Sequence, residues 1–298
     1  MKRQNFLVLF IILFLATLLP GITFAQAETP TLIAGFNQRI QTLQKEIQRL
    51  KALISTFKLQ KEITAKSYLV INFSDNSVIL EKNSNQLYPI ASIVKLMTAV
   101  IAFENIDLNQ TITLTEEMLE PLGYSPALFV GLNVSAKNLL KASLIQSTND
   151  AALSLTYFLE KGKFLDLMNQ KAKELNMTNT FFNDPHGLNS SNRSTVSDIV
   201  KLLAYIYKNH PEILSITKNN NFRLPGETGN LLKFKNVNNF YQLPEFIGGK
   251  TGYLPEAKQT SASLFNLNEG PIAIILLYSK NRQTDTLRIL NWLKNNSL

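Results

Sequence analysis

Tyr88-Pro89-Ile90-Ala91-Ser92-Ile93-Val94-Lys95-Leu96-Met97-Thr98-Ala99 sets a serine and a lysine three residues apart in a largely apolar stretch. If Ala91 to Ala99 is helical, both side chains lie on one face within mutual reach. A serine hydroxyl is a poor nucleophile until a base takes its proton. A lysine serves as that base only when burial or a neighbouring cation lowers its pKa. Ile90, Val94, Leu96 and Met97 supply apolar walls, and Lys250 is the expected neighbouring cation. Taken alone, Ser-x-x-Lys reads far more readily as an N-cap serine followed by a solvated lysine.

Two further motifs change that balance. Ser147-Thr148-Asn149 lies between two apolar helical runs. Its hydroxyl can relay a proton, and its amide can donate and accept toward a peptide backbone. By itself it would be an ordinary helix–helix turn. Lys250-Thr251-Gly252 follows Gly248-Gly249 in an expected strand. Glycines weaken a strand, and close approach of a ligand is one reason to keep them. An extended substrate could pair along this edge.

Ser-x-x-Lys, Ser-x-Asn and Lys-Thr-Gly in this order are a penicillin-binding signature. The chain resembles the serine D-alanyl-D-alanine carboxypeptidases, the low-molecular-mass penicillin-binding class, over roughly residues 65–295. The likeness includes Gln146-Ser147-Thr148-Asn149-Asp150-Ala151-Ala152, the Lys173 to Met177 segment and Asn183-Asp184-Pro185-His186-Gly187-Leu188, and the helix from Arg282 to Trp292. The resemblance implies an α+β fold of the β-lactamase/transpeptidase type: a five-stranded antiparallel sheet flanked by helices, plus a helical lobe carrying Ser147 and Asn149. It implies Ser92 as the acylated nucleophile, Lys95 as its base and Ser147 as the proton shuttle. Asn149 would hold the substrate amide, Lys250 would support the electrostatics, and Thr251 and Arg282 would bind the terminal carboxylate. Gly252 would keep the groove wall open, and the N–H groups of Ser92 and Tyr253 would form the oxyanion hole. The substrate would be the peptidoglycan stem peptide, with β-lactams as covalent inhibitors and no cofactor or metal. Two positions depart from the family pattern: Leu254 replaces a small hydroxyl residue, and Lys258 replaces a glycine.

The rest of the chain bounds this reading. Its 298 residues are 45% hydrophobic and 17% charged, enough to bury a core. The absence of cysteine excludes disulfides, thiolate metal sites and a cysteine nucleophile. The net charge of +8 is concentrated in residues 31–60, where Arg39, Lys45, Arg49, Lys51 and Lys58 stand against Glu46. No basic patch with stacking aromatics suggests nucleic-acid binding. Attraction to an anionic membrane surface or wall polymer is the better use of this charge.

Residues 1–27 read as an export signal or N-terminal anchor: Lys2 and Arg3, an apolar run from Phe6 to Leu19, then Ala25-Gln26-Ala27. Residues 31–60 form an expected heptad helix, with Ile33, Phe36, Ile40, Leu43, Ile47, Leu50, Ile54 and Phe57 on one stripe. Isoleucine at a with leucine at two d positions favours a parallel homodimer through residues 33–57, in which Glu46 at g would reach Lys51 at e of the partner. Packing on its own domain and lying at a membrane interface are the competing uses. The catalytic domain is expected over 65–298. It has a hairpin around Asp75-Asn76-Ser77, helices in the middle and three strands near the C-terminus.

Four other functions compete with this one. A D,D-endopeptidase of cross-links would share the acyl step. A class A β-lactamase would need a carboxylate base, for which Glu174 is the superficial match. An α/β-hydrolase would use Gly123-Tyr124-Ser125-Pro126-Ala127 as its elbow, but the final glycine is missing. A non-catalytic wall-binding scaffold would not need Ser92, Lys95, Ser147, Asn149 and Lys250 all intact.

Overall fold

The computed structural model describes residues 29–120, 128–225 and 231–296. The export segment and the Gly123 to Ala127 stretch lie outside the described residues. The chain divides into two units, Met1–Phe57 and Lys58–Leu298.

The first unit carries most of one long helix, α1 (Thr29–Glu62). The eight side chains of the heptad stripe are each 47–62% exposed. No helix among the described residues is long and apolar enough to cross a membrane.

The second unit starts before the expected residue 65. Leu59 and Ile63, at the end of α1 and just beyond it, are buried in its core. A hairpin follows, β1 (Ser67–Asn72) and β2 (Val78–Lys82). Asp75 closes its turn by accepting from the Ser77 N–H at 2.9 Å. The helical middle comprises α2 (Val94–Asn105), α3 (Ala136–Ile145), α4 (Asn149–Ser154), α5 (Lys163–Glu174), α6 (Val196–Asn209) and α7 (Pro211–Lys218). Ser135 caps α3 through the Asn138 N–H, and Thr195 caps α6 through that of Asp198. Three long strands come next, β3 (Phe246–Leu254), β4 (Lys258–Leu267) and β5 (Gly270–Ser279), and α8 (Arg282–Asn295) closes the chain.

The sheet order is β2-β1-β5-β4-β3, antiparallel throughout. Strand periodicity divides its apolar residues between two faces. Leu69, Ile71, Ala273 and Ile275 face α6 and share one core with α2 and α3. Tyr68, Val70, Ile272 and Ile274 meet Leu59, Ile289, Leu290 and Leu293 on the other. Both faces of β1 and β5 are therefore buried, and the fold is the α+β architecture expected.

One buried carboxylate joins chain ends that sequence separates widely. Asp285 on α8 accepts from the Thr64 and Ala65 N–H groups at 2.9 and 3.0 Å, and from the hydroxyls of Thr64 and Ser279 at 2.8 and 2.6 Å. It fixes where β1 enters the sheet.

Several local expectations change. The segment from Ala91 is a 3₁₀ turn over Ala91–Ile93 before α2 begins at Val94. The apolar helical run after Ser147-Thr148-Asn149 is α4 followed by a 3₁₀ turn, Leu155–Phe158. α7 and a hairpin, Asn221–Pro225 with Leu231–Lys235, were not anticipated.

Candidate active site

The Ser92 turn is held from three sides. Ala91 adopts φ +49°, a left-handed conformation costly for a residue with a Cβ. The Ile90 N–H donates to Asn192 O at 3.0 Å, and the Ile90 carbonyl accepts from Thr260 Oγ1 at 3.1 Å. Gly187, itself at φ +90°, lies so close that a Cβ there would sit 2.2 Å from Ala91 O. Edge strand β3 forms the third side. A Cβ on Gly252 would come within 2.7 Å of the Ser92 nitrogen.

Lys95, one helical turn on, is fully buried. Its Nζ lies 3.0 Å from Ser92 Oγ and donates to Asn149 Oδ1 at 2.8 Å and to the His186 carbonyl at 2.5 Å. Burial pulls its pKa down to about 7, against the opposing pull of the Asp184 and Asp150 carboxylates. Of the two causes expected, burial within apolar walls and the Lys250 cation, burial is the one that acts first, because the amine has no solvent on any side.

Ser147 occupies the α3–α4 junction at φ +63°. Lys250 on β3 donates to its Oγ at 2.8 Å and to the Thr251 carbonyl at 2.9 Å. Burial holds Lys250 well below the ordinary lysine range, and the Lys95 and Arg282 charges push the same way. Asp150, next to Asn149, is buried with its Oδ1 lacking any hydrogen-bond partner, and burial raises its pKa.

At the other end of the cleft, Arg282 Nη1 donates to the Gly252 carbonyl at 3.0 Å. Thr251, Arg282 and Asn238 line one small cavity. The Tyr253 side chain is exposed beside it. All nine residues singled out from the sequence thus lie on the Ser92 turn and the first turn of α2, the α3–α4 junction, β3 and the start of α8. Contacts link Ser92, Lys95 and Asn149, then Ser147 with Lys250, then Gly252 with Arg282.

One reading of the sequence is corrected here. The Gly248-Gly249 pair does not make room for a ligand. A Cβ on Gly248 would strike Leu214 on α7 at 2.6 Å, and one on Gly249 would strike Ala262 O at 2.3 Å. These glycines let a helix and the neighbouring strand close on β3. The glycine usual at position 258 also has a reason: Lys258 adopts φ +52° in the β3–β4 turn.

Sequence reasoning missed the His186 carbonyl. A backbone acceptor carries no signature of its own, although the surrounding Asn183 to Leu188 stretch marked the loop. Glu174, the superficial match to a lactamase base, instead pairs with Lys171 at 3.0 Å.

Comparison with known proteins gives a consistent picture. The model of the peptidase S11 family, described as D-alanyl-D-alanine carboxypeptidase, matches residues 54–277. The chain is 31% identical to the D-alanyl-D-alanine endopeptidase of Escherichia coli, over 82% of each chain. Among solved structures it resembles the D-alanyl-D-alanine carboxypeptidase of Mycobacterium tuberculosis, with a TM-score of 0.72 and 25% identity, covering 78% of this chain and 91% of that one. It also resembles penicillin-binding protein D2 of Listeria monocytogenes in a cefotaxime-bound form, with a TM-score of 0.68 and 26% identity, covering 77% and 97%.

Proposed function

Because the chain belongs to the D-alanyl-D-alanine carboxypeptidase family, peptidase S11, we propose that it removes terminal D-alanine from peptidoglycan stem peptides through an acyl-Ser92 ester. One observation carries this reading: the three contacts of the Lys95 amine. A neutral amine has two N–H groups and one lone pair. The Asn149 Oδ1 and the His186 carbonyl can only accept, so they take both N–H groups. The lone pair is left for the Ser92 hydroxyl, which then donates to Lys95. Deprotonated Lys95 is thereby aimed as a base at one oxygen.

In the reaction, Ser92 Oγ attacks the carbonyl carbon of the penultimate D-alanine as its proton passes to Lys95 Nζ. The C–N bond breaks, and the leaving amine takes a proton through Ser147, which Lys250 positions. Water then hydrolyses the Ser92 ester. Thr251 and Arg282 receive the substrate carboxylate, Asn149 holds the amide, and the Ser92 and Tyr253 N–H groups stabilise the oxyanion. β-Lactams acylate the same serine.

Cleavage of the cross-link between two stems is the second reading, favoured by the 31% identity to the E. coli endopeptidase over 82% of each chain. The two differ in what leaves. Incubation with a free pentapeptide and with a cross-linked muropeptide, followed by mass analysis, separates them. Release of D-alanine from the pentapeptide supports the carboxypeptidase. Cleavage of the cross-linked species alone contradicts it.

The acylation rate should rise with pH. Lys95 must be neutral to accept the proton, and its pKa stands at about 7. The rate of penicillin acylation is therefore expected to climb between about pH 6 and 8 and then level off. A flat profile from pH 5 to 9 would contradict the assignment of Lys95 as base.

The N-terminal part serves placement. The leader pattern in residues 1–27 supports export to the cell envelope, secreted or anchored by its N-terminus. The exposed stripe of α1 supports pairing with a second copy in parallel register. All four a positions (Ile33, Ile40, Ile47, Ile54) are isoleucine, and Leu43 and Leu50 occupy d. That combination selects two strands, and Glu46 at g faces Lys51 at e of the partner only when the helices are parallel. Ile40→Lys with Ile47→Lys should convert the full-length dimer to monomer in sedimentation and leave penicillin acylation intact. A monomeric parent protein at micromolar concentration would sink the pairing.

A further inference from the structure

We infer that Asp184 is a positioning residue for Lys95: it folds the 183–192 loop into the shape that presses the His186 carbonyl onto the Lys95 amine. The inference rests on the catalytic reading above.

The loop has almost no regular structure, so its shape needs another source. Asp184 is the hub. One carboxylate oxygen accepts the His186 N–H at 2.9 Å and also the Gly187 N–H. The other accepts the Asn189 N–H at 2.7 Å and Asn192 Nδ2 at 2.9 Å. Three backbone donors therefore converge on one side chain, a nest filled by the protein's own carboxylate. Asn192, fully buried, returns the favour by accepting the Asn183 and Asp184 N–H groups at 2.8 and 3.3 Å.

This loop is tied to the nucleophile turn at each end. Tyr88-Pro89 pairs with Arg193-Ser194, and Asn192 O accepts the Ile90 N–H. Thr98, on the same helix as Lys95, donates to Pro185 O at 2.5 Å. Between these ties the His186 carbonyl meets Lys95. Without the Asp184 nest, the His186 and Gly187 N–H groups lose the acceptor that turns this peptide so that its carbonyl faces the amine. A Lys95 N–H would then lose its acceptor, and the lone pair would no longer be confined to Ser92.

The same carboxylate also supplies charge. Asp184 and Asp150 favour protonated Lys95, Lys250 is the opposing cation, and the His186 ring lies 3.1 Å from Asp184 Oδ1. Geometry and charge can be separated by two substitutions. Asp184→Glu keeps the charge but displaces the nest. Asp184→Asn keeps the size, removes the charge and points an amide donor at the Asn189 and Asn192 donors.

The experiment measures fluorescent-penicillin acylation from pH 5.5 to 9 on full-length protein, as a rate per titrated active site, so unfolded molecules do not count. Asp184→Glu is expected to lower the plateau about tenfold and keep the parental midpoint. Asp184→Asn is expected to lower the plateau and to move the midpoint down by about half a pH unit or more, because Lys95 loses a stabilising anion. A parental plateau in both variants, or a parental midpoint in Asp184→Asn, overturns the inference. If the parent protein is not acylated on Ser92 at all, the catalytic reading has failed first. If the parent is acylated and the variants match it, only the role of Asp184 is lost.

Discussion

Lys95→Met is expected to slow acylation of Ser92 by about 10⁴-fold, the upper end for loss of a general base, while the protein stays folded. The two halves of this expectation come from the same burial. Lys95 is fully enclosed and its pKa is about 7. The folded state therefore resists protonation that the unfolded chain accepts. Below about pH 7 this is a full cost to the fold. The cost fades as pH rises from about 7 toward the ordinary lysine value, so stability should increase across that window. At pH 7 it is on the order of 4 kcal/mol. Methionine removes the cost and fills similar volume. It also strips a donor from Asn149 Oδ1 and from the His186 carbonyl, each costing about 1–3 kcal/mol. Gain and loss nearly cancel, and Tm should stay within about 5 °C of the parent. Stopped-flow labelling with fluorescent penicillin measures the rate, and calorimetry measures Tm. A Lys95→Met protein that acylates within tenfold of the parent would require a different base.

Gly252→Ala should be nearly as damaging, by a different route. The added Cβ would stand 2.7 Å from the Ser92 nitrogen, 2.7 Å from Thr260 Oγ1 and 2.9 Å from Ala91 Cβ. None of these is the free end of a flexible side chain. Thr260 holds the Ile90 carbonyl, and Ala91 is already in a left-handed turn. The methyl group therefore occupies the space in front of an assigned oxyanion donor and pushes on the nucleophile turn. Losing one such donor slows acyl transfer by about 10²–10³-fold. Overpacking should cost a further 1–3 kcal/mol, roughly. The acylation rate of the refolded variant, normalised to active-site titre, gives the answer. A rate within about twofold of the parent would mean that β3 does not line the acyl pocket as described.

Much of this site was legible in the sequence because its chemistry is carried by side chains. Ser92, Lys95, Ser147, Asn149 and Lys250 are polar residues where an apolar pattern would otherwise run on. The three C-terminal strands were legible for a related reason: β5, buried on both faces, reads as a continuous apolar run. What escaped was carried by backbone or by distant contact. The His186 carbonyl has no sequence signature. The left-handed turns at Ala91 and Ser147 are imposed by packing, because neither residue type favours that conformation. The hairpin Asn221–Pro225 with Leu231–Lys235 does alternate, with Phe222, Leu224, Leu232 and Phe234 set between Arg223, Lys233 and Lys235, but each run is only five residues long. Its register follows from contacts such as the Lys235 N–H to Gln146 Oε1 at 3.0 Å. The Gly248-Gly249 pair was noticed, but whether a ligand or a helix filled the space was a question only the fold could answer.

The most direct test is to react the protein with a β-lactam, digest it and locate the acyl adduct by mass spectrometry, with Ser92→Ala as the parallel sample. The account predicts a single adduct on Ser92 of the parent and none on the variant. An adduct on Ser147, or labelling that survives in Ser92→Ala, would contradict it.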